Sequence, residues 1–335
     1  MNPHVTYLIE RFKHDTGISF EKHGVLLCRA GSRAHNTFTE QSDHDYFGIV
    51  APGAKHVLGL TPFDSWEPKA GTLDHELDCK IYSIQKAVTL LLKGNPNMLE
   101  VLWYPDHVYE ICSATGQSLI GHRDCFSSQQ AYQSLAKYAY AQFKRMMSGT
   151  DDIRPKYEKA VAIIEAAGWT VEQVVTEKHC DMPNPEAVLA LLGDEAPKDD
   201  NRLVIAFRAA SKAAKDVKEI HARHFQAYMG EKRKQNVLTF GYDPKNASHL
   251  LRLLFMGIDF AKTTQLTPWM EGGMRDAILS VKRGEWPLDK LKRFAEHLWA
   301  LSDQAFHVTA LPEEPARDFA ERLLIEIQRA AVHTS

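Results

Sequence analysis

A chain of 335 residues exceeds what one hydrophobic core usually serves, so two domains are expected. Its 40 Lys and Arg stand against 43 Asp and Glu, a formal net charge of −3, which excludes attraction of the whole molecule to nucleic acid and leaves that role to local basic patches. Apolar content is ordinary for a globular protein, no apolar run reaches membrane-span length, and the opening Met1-Asn-Pro-His-Val5 lacks the basic-then-apolar pattern of a leader, so the cytoplasm is expected and no membrane partner is.

In chain order, Gly-Val-Leu-Leu-Cys-Arg-Ala (24–30) is a buried-strand run and Tyr46-Phe47-Gly48-Ile49-Val50 continues a second strand. Between them stand a small-residue turn, Gly31-Ser32, and two carboxylates, Asp43 and Asp45. On a strand these acids share a face, because side chains repeat every two residues. Paired carboxylates suit Mg²⁺, which prefers carboxylates, water and substrate phosphates. Gly31 admits close backbone approach, and Ser32 adds a hydroxyl and an N–H for phosphate oxygens. The partner these groups imply is a nucleoside triphosphate. Arg33 follows directly and is either a bidentate phosphate ligand or a surface arginine.

The run Glu76-Leu-Asp-Cys-Lys-Ile-Tyr82 reads as a strand that places Glu76, Asp78, Lys80 and Tyr82 on one face. Asp74, Glu76 and Asp78 are therefore the candidates for a third acid. Ser83–Lys93 is an amphipathic helix stopped by Gly94, and Asn97 with Glu100 marks the start of another. Beyond Gln129 the chain reads as helices over Gln129–Met147, Lys156–Ala167, Arg202–Met229, Lys245–Thr264, Arg275–Lys282, Leu288–Ser302 and Ala316–Ala331. Pro183-Asn-Pro185 and Gly193–Asn201 read as loops.

Within this helical part, Lys245, His249 and Arg252 form one stripe at i, i+4 and i+7, opposite Leu250, Leu254 and Ile258. The stripe is either solvated or a phosphate contact. The run 202–234 is rich in Lys and Arg and reads as a basic helical face, solvated or set against RNA or DNA backbone. His221 and His224 have metal-ligand spacing but no third ligand nearby. The five cysteines form no Cys-x-x-Cys pair, and Cys28 and Cys79 read as small buried hydrophobes.

Gly31-Ser32 followed by Asp43-x-Asp45 resembles the signature of the DNA polymerase β-like nucleotidyltransferase superfamily, whose members attach a nucleoside monophosphate to an acceptor and release pyrophosphate. Asp78-Cys-Lys-Ile-Tyr-Ser-Ile84, Lys93-Gly-Asn-Pro-Asn-Met-Leu-Glu-Val-Leu-Trp103 and Gly241-Tyr-Asp-Pro-Lys-Asn-Ala-Ser-His-Leu-Leu-Arg252 resemble its bacterial and phage branch called YcgL-type or RlaP-type, linked by name to RNA repair. The resemblance implies a third carboxylate on a neighbouring strand, and Asp78 fits the family spacing to Tyr82 better than Asp74 or Glu76. It further implies two Mg²⁺ ions, with Mn²⁺ as a substitute, clamped by Asp43, Asp45 and Asp78 about 3.5–4 Å apart for an in-line displacement. Many relatives carry Tyr-Gly where this chain has His35-Asn36, an exchange made acceptable by the tolerance of Asn for positive φ. Residues 150–235 align with nothing in the family.

The expected architecture is α+β: a nucleotidyltransferase-type mixed sheet with helices over 1–125, then an all-α domain over 126–335 that closes on the nucleotide and selects the acceptor. Two classes of function follow, a transferase acting on an RNA end, a protein or a small molecule, and a nucleotide-sensing protein that retains the fold without turnover. Three candidate carboxylates beside an intact turn favour the transferase.

Overall fold

Val25, Leu26, Leu27 and Cys28 are all buried, so strand β1 (Gly24–Arg29) has protein on both faces and lies inside its sheet. In the computed structural model, which describes residues 2–68, 77–147, 153–176, 184–193, 201–220 and 231–333, β1 joins β2 (His44–Val50), β3 (Ser65–Trp66), β4 (Leu77–Ser83) and β5 (Tyr109–Cys112) in a five-stranded mixed sheet of order β3-β4-β2-β1-β5. Strands β2 and β4 run parallel and the other pairs antiparallel. The mixed sheet and abundant helices are the expected α+β class.

One face of the sheet is closed by helix α1 (Pro3–Thr16), whose Val5, Leu8 and Phe12 pack with Leu27, Tyr46, Val50, Cys79 and Ile81. The helix begins at Asn2, whose side chain accepts from the His4 N–H, and ends at Gly17 with φ +74. Alternation sends Leu26, Cys28 and Ile49 to the other face, with Asp45 and Phe47 in the same row as Ile49. Burial pushes the thiols of Cys28 and Cys79 far above their ordinary range, as suits small core residues.

The chain divides into two units, one of 1–142, 248–283 and 290–335, the other of 143–247 and 284–289. This differs from the expected split near residue 125. The C-terminal helices belong with the sheet domain: helix α11 (Arg317–His333) packs on helix α3 (Ile84–Leu92), which follows β4. The described part of the second unit is helical, built on α6 (Ile153–Ala166) and α7 (Arg202–Ile220) around Ile164, Ala206, Ala210 and Val217. Between the two expected loops, Pro185–Leu192 is a helix capped by the Asn184 side chain.

Candidate active site

The turn after β1 is a single helical turn, α2 (Gly31–Ala34), beginning at the sheet end where β2 and β4 both start. The Ala30 N–H donates to the Asp45 carbonyl at 2.8 Å, which ties the entry of this turn to the acid-bearing strand. Glycine at position 31 is required twice over. Its φ is +57, and a Cβ built there overlaps Oδ2 of Asp45, so the carboxylate lies directly against the Gly31 backbone. Asn36 also has φ +57, which accounts for an Asn where relatives carry Gly.

Asp45 and Asp78 are direct partners in the parallel β2–β4 register, so the two acids project side by side from one face. Asp43 precedes β2 and is exposed; Asp45 is half-buried and Asp78 exposed. Oδ1 of Asp78 accepts from the Cys79 N–H at 2.8 Å. Lys80 and Tyr82 continue the Asp78 face, with the Lys80 ammonium 5.2 Å from the Tyr82 ring and paired to Glu67. The rival third acids, Asp74 and Glu76, lie outside the described residues, as do His221 and His224.

The carboxylate oxygens fit a hard divalent cation by donor chemistry and by strand register. Among the described residues, however, no group of three or more His, Cys, Asp or Glu is gathered closely enough to hold a metal ion.

Four residues read as phosphate ligands, Arg33, Lys245, His249 and Arg252, have the following surroundings. The Arg33 guanidinium donates to the carbonyls of Ser42 (3.0 Å) and Asp43 (3.2 Å) and lies 5.2 Å from the Phe38 ring, so it braces the loop leading to the acids. Helix α8 (Pro244–Thr263) is buried nearly all round from Asn246 to Ala261, which overturns the two-faced reading of the Lys245, His249 and Arg252 stripe. Arg252 is a core residue, 5% exposed, with Nη1 2.7 Å from Oε1 of Glu100. Lys245 is exposed and belongs to the second unit, whereas His249 is half-buried in the first. In the 241–252 segment Asp243 caps the helix, its Oδ1 accepting from the N–H groups of Lys245 and Asn246, with Pro244 in the first turn.

The residues that sequence reasoning missed stand behind the turn. Glu100 is 2% exposed; its Oε2 lies 3.2 Å from Nε2 of His35, the residue that closes α2. It belongs to helix α4 (Pro96–Val101), which Asn95 caps and not Asn97, so Glu100 is a core residue instead of a capping partner. Burial acts against the Glu100 carboxylate, yet Arg252 and His35 outweigh it and bring its pKa down to about 2. For His35, burial and then the Arg252 cation lower the pKa. Its two ring nitrogens face acceptors, Nε2 the Glu100 carboxylate and Nδ1 the Pro268 carbonyl at 3.1 Å, and these contacts oppose the effect of burial by favouring the protonated ring.

Residues 1–179, which contain the whole sheet, the Gly31 turn and all three aspartates, match the family model RlaP, described as the RNA repair pathway DNA polymerase beta family. The chain belongs to the RlaP family. That places it among polymerase β-like nucleotidyltransferases associated with RNA repair. The match runs on through 150–179, a stretch expected to align with nothing, and it stops short of Lys245, His249 and Arg252, whose segment resembled the branch. No curated protein matches the chain. No helix among the described residues is long and apolar enough to cross a membrane.

Gly31→Ala tests the contact at the centre of this site. Positive φ costs an alanine about 1–2 kcal/mol, while the new methyl displaces the Asp45 carboxylate. The expected result is a modest fall in melting temperature with a more than roughly tenfold loss of nucleotidyl transfer. Equal turnover in variant and wild type would show that the Gly31–Asp45 contact is not needed for the reaction.

Proposed function

We propose that this RlaP-family protein is a metal-dependent enzyme that transfers a nucleoside monophosphate from a triphosphate to the hydroxyl of an RNA end and releases pyrophosphate. The observation that carries the reading is the side-by-side register of Asp45 and Asp78 at the sheet end where the Gly31-Ser32 turn begins. Asp43, Asp45 and Asp78 would hold Mg²⁺, or Mn²⁺ in its place; a bound divalent ion supplies positive charge to the acceptor hydroxyl and the departing pyrophosphate.

The protein groups have separate tasks. N–H groups of the α2 turn, outside its own hydrogen-bond ladder, bind phosphate oxygens. Gly31 and Ser32 keep this role from the sequence reading, while Arg33 serves through the loop it braces. Asp78 accepts the proton of the acceptor hydroxyl as that oxygen bonds to the α-phosphorus and the bond to the bridging oxygen of pyrophosphate breaks. Arg208, Lys212 and Lys215 are exposed on α7, opposite its buried Ile205, Ala206, Ala210 and Ala213, and provide a basic face for RNA phosphates.

A nucleotide-binding protein of the same fold without turnover is the second reading, since phosphate binding at the Gly31-Ser32 turn does not require all three carboxylates. The experiment that separates the two is incubation with each of four radiolabelled triphosphates and Mg²⁺, against total RNA and total protein, with products resolved by size. Label in RNA supports the proposal, label in protein redirects the acceptor, and label in neither favours the binding protein.

A further inference from the structure

The loop that carries the chain from the Gly31 turn to the acids is fastened to a segment more than 200 residues away. Within one unit, the Met270 N–H donates to the His35 carbonyl (3.1 Å), and Nδ2 of Asn36 donates to the Met270 carbonyl (3.0 Å). Helix α9 (Gly272–Lys282) adds two cations: Nε of Arg275 donates to the Asn36 carbonyl (2.8 Å), and Nζ of Lys282 to the Thr37 carbonyl (2.9 Å) and Oγ of Ser42 (3.3 Å). Arg275 and Lys282 are seven residues apart, two turns along one helix face, so a single rigid element meets both ends of the loop.

Ser42 is where these bonds converge. Its Oγ also accepts from the Thr39 N–H at 2.9 Å, and its carbonyl accepts from Arg33. The next residue is Asp43. An ammonium bonding a carbonyl and a hydroxyl forms charge-assisted bonds, stronger than the neutral contacts that otherwise hold a surface loop.

We propose that Lys282, seconded by Arg275, is a positioning residue for nucleotidyl transfer: it locks residues 37–42 and so fixes the Asp43 carboxylate relative to Asp45. The proposal rests on the transferase reading for its catalytic consequence, but the locking itself is measurable without turnover. Lys282 touches neither triphosphate nor acceptor in this scheme, so its loss acts on kcat and leaves nucleotide binding in place.

The test uses the full chain as wild type, Lys282→Met and Lys282→Arg. Amide hydrogen exchange of peptides covering 35–43 is measured beside kcat, KM for triphosphate and melting temperature. In Lys282→Met, exchange in 35–43 is expected to rise about tenfold to a hundredfold, and kcat to fall by a similar factor, with KM changed less than about threefold. Lys282→Arg, which keeps charge and donors, restores both. Unchanged exchange in the Met variant overturns the proposal, as does a rise in KM at constant kcat, which would make Lys282 a ligand contact. If wild type transfers no label, the transferase reading fails, while the exchange result still decides whether Lys282 locks the loop. Should Lys282→Met lose global stability, Arg275→Ala is judged by the same readouts.

Discussion

Replacing Asp45 by Asn is expected to lower nucleotidyl transfer by roughly a thousandfold while leaving the fold intact. The amide keeps the size of the carboxylate that lies against Gly31, and the backbone bond from Ala30 to the residue 45 carbonyl does not involve the side chain. What is lost is one negative charge at the strand end where Asp78 stands in direct register. Asp78→Asn should behave differently, retaining triphosphate binding and losing most of kcat, because its proposed role is toward the acceptor hydroxyl. Turnover within tenfold of wild type in Asp45→Asn, at saturating Mg²⁺ and with unchanged melting temperature, would remove the acids from the mechanism.

The second large effect falls on stability. Arg252→Met deletes the cation that compensates Glu100 in the core, and breaking a buried pair from one side costs about 3–5 kcal/mol. For a domain of this size the melting temperature should drop by roughly 10 °C or more. The pH dependence has a definite sign. Glu100 has its folded pKa depressed from 4.5 to about 2, so its contribution is complete above 4.5 and is lost as the pH falls toward 2. The stability gap between wild type and Arg252→Met should therefore narrow across that window in chemical denaturation. A gap that stays constant down to pH 2 would show that the Glu100 charge is not its source, and a variant as stable as wild type at pH 7 would show that the pair holds nothing together.

How much of this was legible in the sequence depended on whether the signal was local. Strand alternation grouped Asp43 with Asp45, and Asp78 with Lys80 and Tyr82; the register of β2 with β4 puts Asp45 beside Asp78, while Asp43 precedes the strand. Helix ends were equally readable where caps announce them: Ser83 begins α3 and Gly94, with φ +64, follows its end. Arg252 was misread because periodicity identifies faces without saying what they meet. A Lys-x-x-x-His-x-x-Arg stripe looks solvated until Glu100, 152 residues away, is brought to the guanidinium. The fastening of residues 35–42 by 268–282 had no local signal at all. Nor did the domain split, since the C-terminal helices return to the sheet that opens the chain.

The most direct measurement follows the two ends of the triphosphate separately. The wild-type protein is incubated with RNA, Mg²⁺ and a nucleoside triphosphate labelled either at the α- or at the γ-phosphorus, with Asp45→Asn as control. Nucleotidyl transfer predicts α-label retained in RNA, γ-label released as pyrophosphate, and neither signal from the variant. Label in RNA from the γ-position, or no α-label in RNA from the wild type, would contradict the assignment of this site to nucleotide transfer onto RNA.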